Sequence, residues 1–365
     1  MPQRRTDSNM PKRRSDIPDY RHPRTEHKGR GMLYVMLALT VLLIIFMVAL
    51  WPFVMTDAPQ DATIRIPCNA TEKNVHDSLT KYYGDSYASY VMKLAGLRRT
   101  DFSKRHGAYR INQGDNAISA MRRLTSGAQT PVKFTLNGYR SLSEMIQRIS
   151  ARFDFTPDSL RAALYDTKFL STYGLNADNA MVLFVNDTYE AYWSSSPQQV
   201  LDKLGDNYAL LWNDQNKAKA SDLGLKPEEI MILASIVDEE TNAVQEKGTV
   251  GRLYINRLHQ GMRLQSDPTV RFALNDFTIR RVKGSDLKAN SPYNTYMYAG
   301  LPPGPIRTVG KSTVSEILDS KPNNYLYMCA KEDFSGTHNF ATDYDEHMRN
   351  AKRYQQALDE RGIVR

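Results

Sequence analysis

The sequence predicts an α+β protein that is held to a membrane by one N-terminal transmembrane helix. Three observations lead to this fold class. Residues 32–55 carry no charge, residues 226–240 repeat apolar side chains with the period of a helix, and short alternating segments such as 61–67 and 131–136 are typical of strands. With 365 residues, of which 41% are apolar and 24% charged, the chain is long enough for two modest folded units.

The N-terminal region predicts a membrane anchor. Residues 1–31 form a tail in which the first 30 residues hold nine Arg or Lys and four acids, so we expect it to be disordered. Residues 32–55 would span about 36 Å as a helix, enough to cross a hydrocarbon core of about 30 Å. Because the basic flank precedes the span, the positive-inside rule predicts a cytoplasmic tail and places residues 56–365 on the far side of a bacterial inner membrane. A cleaved signal peptide is the alternative, but its apolar region would be about half as long.

The charge of the remaining chain is nearly balanced, with 39 basic and 36 acidic residues in 56–365. This balance argues against nucleic acid as a partner, and the basic tail is expected to set topology, with anionic membrane lipid as a weaker partner. The two cysteines, Cys68 and Cys329, make neither a disulfide framework nor a thiolate metal site. We expect two free, buried thiols, and a disulfide between them is the alternative.

Beyond the span the pattern divides into three parts. Residues 56–128 predict a small α+β module with a strand, two helices, a second strand and a further helix. Residues 129–223 predict a helix-rich middle segment, in which 182–189 is apolar and 213–222 is polar and unpatterned, a candidate hinge. Residues 224–365 predict an α+β domain. In that domain we expect helices over 226–240 and 247–259, strands over 325–330 and from residue 336, and a closing helix over 343–358.

The strongest candidate for a catalytic acid lies at the end of the helix predicted over 226–240. Pro227, followed by two glutamates, is typical of a helix start, and the apolar stripe of the helix, projected forward, reaches Glu240. Asp238 and Glu239 are predicted to point away from that stripe, toward solvent. A carboxyl on an apolar face, late in a helix where the dipole opposes negative charge, should have a raised pKa and serve as a general acid. The alternative is that Glu240 ends the helix and reaches water or a nearby arginine.

Other catalytic chemistries lack their sequence signatures. No HExxH motif or histidine pair at metal-ligand spacing occurs, so neither a metal nor another cofactor is expected. No GxSxG motif or P-loop is found, and the SxxK tetrad at Ser285–Lys288 has no partner KTG motif. His338, alone in a predicted strand, is typical of a core histidine. Carboxylate chemistry is what remains.

A long irregular loop is the second candidate feature. Ser291–Ile306, SPYNTYMYAGLPPGPI, has three tyrosines and four prolines, so we expect an ordered loop without helix or strand. Tyrosine beside asparagine suits a sugar ring, which offers hydroxyls at its edge and an apolar face. A turn-rich connector with its tyrosines packed on the core is the alternative.

Four separated blocks, LASIVDEET, GRLYINRLHQGMRLQSDPTV, SPYNTYMYAGLPPGPI and YLYMCA with GTHNF, resemble the YceG-like family, the membrane-anchored endolytic murein transglycosylases of bacteria. The resemblance is dense from about Ile230 to His347, and GAYRINQG with RRLTSG resembles the LysM-like module of that family. The sequence departs from the family pattern at Asp238, where a glutamate is usual, and at 182–189, which lacks the usual glycine and proline.

The resemblance implies an enzyme that cleaves the bond between N-acetylmuramic acid and N-acetylglucosamine inside peptidoglycan glycan strands and leaves 1,6-anhydro ends. It implies that Glu240, the glutamate directly before threonine in the ET pair, is the catalytic acid, and that penicillin-binding peptidoglycan synthases are possible partners. Candidate substrate-binding residues are Gln265, Asp267, Thr269, Tyr293, Asn294, Thr295 and Tyr296, with His338 and Arg263 as weaker ones. For Asp267, capping of a turn is the alternative role.

Two other functions remain open at this point. An ordinary muramidase would use a second carboxylate, such as Asp267, to activate water. A membrane-anchored scaffold would bind the wall without cleaving it.

Overall fold

The computed structural model describes residues 28–279 and 281–362, so most of the predicted basic tail lies outside the described residues. Helix α1, Lys28–Met55, contains the predicted span. Its segment Gly31–Met55 reaches a mean hydropathy of 2.9 and is long enough to cross a membrane. The apolar side chains of this segment are largely exposed to the surroundings, apart from contacts near its C-terminal end such as the edge-on packing of Phe53 against Tyr90, 5.1 Å between ring centres.

The chain then alternates short strands with helices and confirms the α+β class. The elements after α1 are β1 (Ala62–Ile66), α2 (Glu72–Tyr83), α3 (Asp85–Leu97), β2 (Gly107–Ile111), α4 (Ala117–Ser126), β3 (Pro131–Thr135), α5 (Leu142–Ser150), α6 (Pro157–Leu164), α7 (Thr167–Thr172), β4 (Thr188–Tyr192), α8 (Pro197–Leu211), α9 (Asp214–Asp222), α10 (Pro227–Glu240), α11 (Val244–His259), α12 (Asp267–Ala273), α13 (Lys311–Leu318), β5 (Tyr327–Ala330), β6 (His338–Ala341) and α14 (Tyr344–Glu360). Three 3₁₀ turns, Phe102–Lys104, Ala180–Leu183 and Asp286–Lys288, complete the order.

The first folded unit after α1 is residues 56–128, which we call the membrane-proximal module because it follows the predicted span. Strands β1 and β2 pair antiparallel, with Ala62 opposite Ile111 and Ile66 opposite Gly107. Helices α2, α3 and α4 pack against this pair over a core of its own, which buries side chains such as Leu79 and Tyr87. The strand–helix–helix–strand order agrees with the predicted elements, and the LysM-like character of the module stays a prediction.

The rest of the chain is built on a second core that crosses the boundary predicted at residue 223. This core runs from Phe134 through the apolar residues of α10 to Leu318. The middle segment contributes the antiparallel pair β3–β4, with Pro131 opposite Tyr192, and helices such as α8. Residues 129–223 therefore help to hold α10 in place.

Two glycines allow an unusually close contact beside α10. A Cβ atom at Gly248 would lie 2.6 Å from the backbone oxygen of Glu316, and one at Gly251 would lie 2.7 Å from the side chain of Ile317. Helix α11 can therefore approach α13 with its backbone, because any larger side chain at these positions would separate the two helices.

Four details differ from the sequence-based expectations. The candidate hinge 213–222 is helix α9, which the Asn213 side chain caps at the Asn216 N–H and which buries Ala220. The apolar segment 182–189 is not helical: a 3₁₀ turn leads into β4, and Val182 to Val185 are buried. Segment 213–222 looked unpatterned because a helix that buries a single alanine has no periodic apolar pattern. Segment 182–189 was ambiguous because a short apolar run fits a strand and a helix equally well.

The remaining two differences concern a proline and the cysteines. Helix α12, which has Pro268 in its first turn, was not among the helices expected for this domain; proline is well tolerated at that position. Both cysteines are free, as expected, but Cys68 is exposed and Cys329 is half-buried, so the prediction of two buried thiols is wrong.

Candidate active site

Helix α10 is the element that positions the candidate acid. It begins at Pro227, as predicted, and the Lys226 backbone N–H donates to the Glu229 carboxylate at 2.8 Å. Every residue from Ile230 to Val237 is buried, so the helix is covered on all sides and not only along one stripe. A helix enclosed in this way has little freedom to move, and the acids at its C-terminal end are correspondingly well placed.

The enclosure of α10 overturns the prediction that Asp238 and Glu239 point to solvent. Asp238 accepts from the Lys247 ammonium and from the Thr313 hydroxyl, each at 2.6 Å. Its side chain is 10% exposed and that of Glu239 is 9% exposed. The error arose because a helical projection describes one helix, whereas the neighbouring elements decide what covers its other faces.

Glu239 is held by two arginines from different parts of the chain. Arg140 donates through Nε and Nη2 to the two carboxylate oxygens, both at 2.8 Å, and Arg307 donates at 2.9 Å. Such bidentate, charge-assisted contacts are both strong and directional. They connect the C-terminal end of α10 to the middle segment and to the chain after the long loop.

Glu240 has hydroxyl partners instead. Its Oε1 accepts a hydrogen bond from the Tyr254 hydroxyl at 2.8 Å and another from the Ser266 hydroxyl. Within residues 28–279 and 281–362, Glu240 forms no ion pair, so the alternative of a nearby arginine partner does not hold for this part of the chain. With both hydroxyls on Oε1, the other oxygen, Oε2, is the one that remains for a substrate.

Burial raises the pKa of Glu240 above that of an ordinary glutamate. The hydrogen bonds from Ser266 and Tyr254 act in the opposite direction because they favour the carboxylate. Asp267 raises the pKa further by its negative charge, and His338 lowers it. The net direction is upward, which is what a proton donor at neutral pH requires.

Ser266, one of the two hydroxyl partners of Glu240, lies directly before helix α12. It is the N-cap residue of α12, a position where a serine hydroxyl usually accepts from the first helical N–H groups. Here the side chain makes no capping bond and donates to Glu240 instead. Helix α12 begins beside the acid without the usual stabilisation of its first turn.

A polar cleft of about 330 Å³ opens next to Glu240. It lies between the ends of α10 and α11, the start of α12, the long loop and the β5–β6 pair. Its lining residues are Glu239, Glu240, Leu253, Tyr254, Arg257, Gln265, Asp267, Arg271, Tyr296, Met328, Cys329, Ala330 and His338. The cleft thus combines carboxyl, hydroxyl and cationic groups around one acid.

Four of the predicted substrate-binding residues line this cleft with Glu240. Gln265 is exposed and adopts a left-handed backbone conformation, φ 50°, at the approach to α12. The Tyr296 hydroxyl donates to Asp267 at 2.7 Å, and burial raises the pKa of Tyr296. His338 reaches the cleft from strand β6. The sequence had no direct signal that these four would meet, since they come from three separate segments.

The other four predicted residues do not reach the cleft surface. Thr269, Asn294 and Thr295 are at most 1% exposed. The two threonine hydroxyls share a hydrogen bond of 2.8 Å, and Asn294 donates to the backbone oxygens of Leu287 and Ala289. These three side chains therefore do not present their polar groups to the cleft. Thr269 and Thr295 connect the long loop to α12, and Asn294 holds the loop to the chain just before it.

Tyr293 and Arg263 also have other roles than a sugar contact. The ring of Tyr293 packs on Phe272 with 4.6 Å between ring centres, as the alternative of core packing described. Arg263 donates to the backbone oxygen of Tyr296 at 3.1 Å. The loop Ser291–Ile306 contains neither helix nor strand, as predicted, so its order comes from such contacts.

Four residues of the site were not among the candidates from the sequence. Tyr254 lies in the helix expected over 247–259, and Ser266 lies between the candidates Gln265 and Asp267. Arg257 is 8% exposed and donates at 2.6 Å to the backbone oxygens of Leu264 and of Leu326. Glu246 is 6% exposed and contacts His338. Only the spacing of Tyr254 and Arg257 on one face of α11 could have signalled part of this set.

No group of three or more His, Cys, Asp or Glu residues within residues 28–279 and 281–362 is arranged to hold a metal ion.

Comparison with known proteins gives a consistent result. The sequence profile of the YceG-like family matches residues 64–353. The endolytic murein transglycosylase of Bacillus subtilis (strain 168) is 24% identical over 330 residues, which cover 84% of this chain and 88% of the relative. That of Streptococcus pneumoniae (strain R6) is 24% identical over 170 residues, covering 45% of this chain and 30% of the relative. The crystal structure of a YceG-like protein from Listeria monocytogenes matches 80% of this chain and 98% of its own with a TM-score of 0.52 and 22% identity, a likeness of fold.

Proposed function

Because the chain belongs to the YceG-like family, we propose that it is an endolytic murein transglycosylase. The substrate is the glycan strand of peptidoglycan, and the bond that breaks joins N-acetylmuramic acid to N-acetylglucosamine. The products carry 1,6-anhydromuramic ends, and cleavage inside strands limits their length during wall synthesis. The Bacillus and Streptococcus relatives are named for this activity, which supports the proposal.

The observation that carries the proposal is that Glu240, at the wall of a polar cleft, has hydroxyl partners and no ion-pair partner among the residues that the structure describes. A carboxyl in an ion pair would stay ionised, whereas one that is held by two hydroxyls and enclosed by protein can keep its proton. The two hydroxyls occupy Oε1, so the acidic proton belongs on Oε2.

The reaction needs one acid that works twice. Glu240 gives its proton to the glycosidic oxygen as the bond from that oxygen to C1 of the muramic residue breaks, and the carboxylate then takes the proton of the C6 hydroxyl of the same residue. The C6 oxygen bonds to C1 and closes the anhydro ring. Glu240 ends protonated and no water is consumed.

The other cleft residues have binding roles in this proposal. Gln265, Asp267, Tyr296 and His338 line the cleft and offer hydrogen bonds to the hydroxyl and acetamido groups of the sugars. Asp267 is already bonded to Tyr296, which fixes the direction of its carboxylate. Two oriented groups discriminate among sugar hydroxyls better than two mobile ones.

A water-using muramidase is the second candidate, and one observation favours it. Asp267 lines the same cleft and is close enough for its charge to raise the pKa of Glu240. A second carboxylate near the acid could activate a water molecule, as in inverting glycosidases.

The test is cleavage of glycan strands in oxygen-18 water by the full chain and by Glu240→Gln. We expect unlabelled anhydro ends from the wild type and at least about a 1,000-fold loss of cleavage in the variant, since the proposed proton donor is removed. Glu228→Gln, the same change in the first turn of the same helix, is the control and should cleave normally.

Three other results of this experiment would contradict the proposal. Oxygen-18 in the new sugar ends would establish the muramidase. Equal activity of Glu240→Gln and the wild type would remove Glu240 from catalysis, and strand binding without cleavage by the wild type would support a scaffold.

The proposal also places the protein in the membrane. Helix α1 anchors the chain, its N-terminus is cytoplasmic, and the cleft lies outside the inner membrane, where peptidoglycan is found. Membrane lipid and penicillin-binding synthases are the partners that this location suggests.

The exposed thiol of Cys68 makes the orientation measurable. A membrane-impermeant maleimide should modify Cys68 in intact spheroplasts, because the membrane-proximal module would be outside. Cys68→Ser, which keeps the half-buried Cys329, is the control and should lose most of the label. Modification that requires lysis would place the module in the cytoplasm and contradict the proposed topology.

A further inference from the structure

A second carboxyl near the cleft, Glu246 on α11, has no part in the reaction described above. It is 6% exposed, and both of its oxygens are engaged. The Thr241 hydroxyl donates to Oε1 at 2.6 Å, and the His338 backbone N–H donates to Oε2 at 3.0 Å. The ring nitrogen Nδ1 of His338 lies 2.8 Å from Oε1. A buried carboxyl is costly unless it is hydrogen-bonded in this way.

The contacts determine the state of the imidazole. The carboxylate oxygen that faces the ring already receives the Thr241 hydroxyl proton, so Nδ1 must donate to it. In a neutral ring the other nitrogen, Nε2, is then an acceptor. His338 lines the cleft of Glu240, whereas its Nδ1 side is covered by Glu246.

We propose that Glu246 is a positioning residue for the transglycosylase reaction, and that it acts through His338. It holds the imidazole in the Nδ1–H form, so that Nε2 accepts a hydrogen bond from a hydroxyl or acetamido N–H of the sugar beside the bond that breaks. This inference rests on the proposed function.

The same contacts fix the distance between acid and imidazole. Thr241 follows Glu240 directly and ends α10, while His338 begins β6. Glu246 bonds to both, so it joins the end of the acid-bearing helix to the strand pair on the other side of the cleft. A sugar bound at Nε2 is thereby held at a set position relative to Glu240.

Glu246→Gln changes this arrangement without changing its size. A glutamine has one acceptor oxygen and one donor amide, so it cannot accept from both the His338 backbone and the Nδ1 side. An amide N–H that faces the ring would make Nδ1 an acceptor and move the proton to Nε2. The group offered to the sugar would change from an acceptor to a donor, and an imidazole in the wrong tautomer is a poor partner even when its position is unchanged.

The test compares Glu246→Gln, His338→Ala and the double variant, all as full-length chains in detergent micelles with soluble glycan strands. We expect Glu246→Gln to lower kcat/KM about 10-fold and His338→Ala at least as much, since a net hydrogen bond of this kind is worth about one power of ten. The double variant should be no slower than His338→Ala, because without the ring a glutamine at position 246 can still accept from the backbone N–H of residue 338 and donate to the Thr241 hydroxyl. Multiplied losses in the double variant, or a normal Glu246→Gln, would overturn the proposal.

A second measurement does not depend on how well the variant folds. Two-dimensional ¹⁵N NMR of the wild type, with His338→Gln to assign the signal, should show the neutral ring of His338 protonated at Nδ1. A neutral ring protonated at Nε2 would contradict the proposal directly.

Controls separate this inference from the function on which it rests. Glu332→Gln alters a carboxyl next to the same strand pair, bonded to Asn339 and Arg353 instead of His338, and should keep normal kinetics. If the wild type made no anhydro ends, the proposed function would fail. If the wild type made them and Glu246→Gln did so equally well, only the role of Glu246 would fail.

Discussion

The C-terminal end of α10 has two sides that differ in chemistry although their acids are consecutive. On one side, Asp238 and Glu239 form salt bridges with a lysine and two arginines. On the other side, the hydrogen bonds that Glu240 accepts from described residues come from two hydroxyl groups, and the negative charge of Asp267 lies nearby. The comparison teaches that the neighbouring elements, and not the residue type, decide which acid is structural and which can move a proton.

The two sides of the helix end also have different roles, one structural and one in the proposed reaction. The salt bridges come from Arg140 in the middle segment, Arg307 after the long loop and Lys247 on α11, so they tie three parts of the chain to α10. The hydroxyl side leaves Oε2 of Glu240 to a substrate. Rigidity on the first side supports reactivity on the second, because a proton donor must hold its position while the substrate changes.

The largest expected effect on folding comes from the salt-bridged side. Glu239→Gln leaves Arg140 and Arg307 without their carboxylate, and we expect a loss of about 1–3 kcal/mol, less than for a fully buried pair because Arg140 is 43% exposed. The melting temperature should fall by about 5 °C. Differential scanning calorimetry of the full-length chain measures this change.

Glu190→Gln is the matched control for this experiment. It removes a carboxylate from an exposed pair with Lys133, and it should change the melting temperature by less than about 1 °C. If Glu239→Gln were as harmless as the control, the salt-bridged side would not be structural and the comparison would fail.

A smaller effect should appear in the pH dependence of cleavage. Activity is lost as the pH rises through the pKa of Glu240, because the acid must be protonated. Tyr254→Phe removes a hydrogen bond that lowers this pKa, so the basic limb of the pH–rate profile should move to higher pH, with about a 10-fold lower rate. Asp267→Asn removes a charge that raises the pKa, so the limb should move to lower pH.

The two cleft variants should shift the basic limb in opposite directions, and this difference tests whether the limb reports the pKa of Glu240. Asp276→Asn, an exposed carboxyl that bonds to Thr278 in the loop after α12, is the control and should leave the limb in place. A shift of both cleft variants in the same direction would mean that the limb does not report Glu240.

Much of the α10 region could be predicted because its signals are local. Pro227 with two following acids marks the helix start, and the apolar repeat leads to Glu240. The irregular loop Ser291–Ile306 was predictable for the same reason, since its prolines and glycines act within a few residues.

What could not be predicted depends on contacts between distant segments. Arg140 is 99 residues from Glu239, and His338 is 92 residues from Glu246. No pattern within one helix reveals such partners, which is why Glu239 was placed in solvent and Glu246 was overlooked. The hydroxyl of Ser266 was missed because its cap position predicts a different bond.

The shared core, which runs from Phe134 to Leu318, has a consequence for the design of truncated fragments of this protein. A fragment that starts at residue 224 would expose the faces of α10 that pack against the middle segment and would lose Arg140, one of the two arginines on Glu239. We therefore expect the smallest active fragment to be the whole stretch after the membrane-proximal module. Trimming from the amino terminus should preserve turnover until it reaches β3 and abolish it beyond that strand.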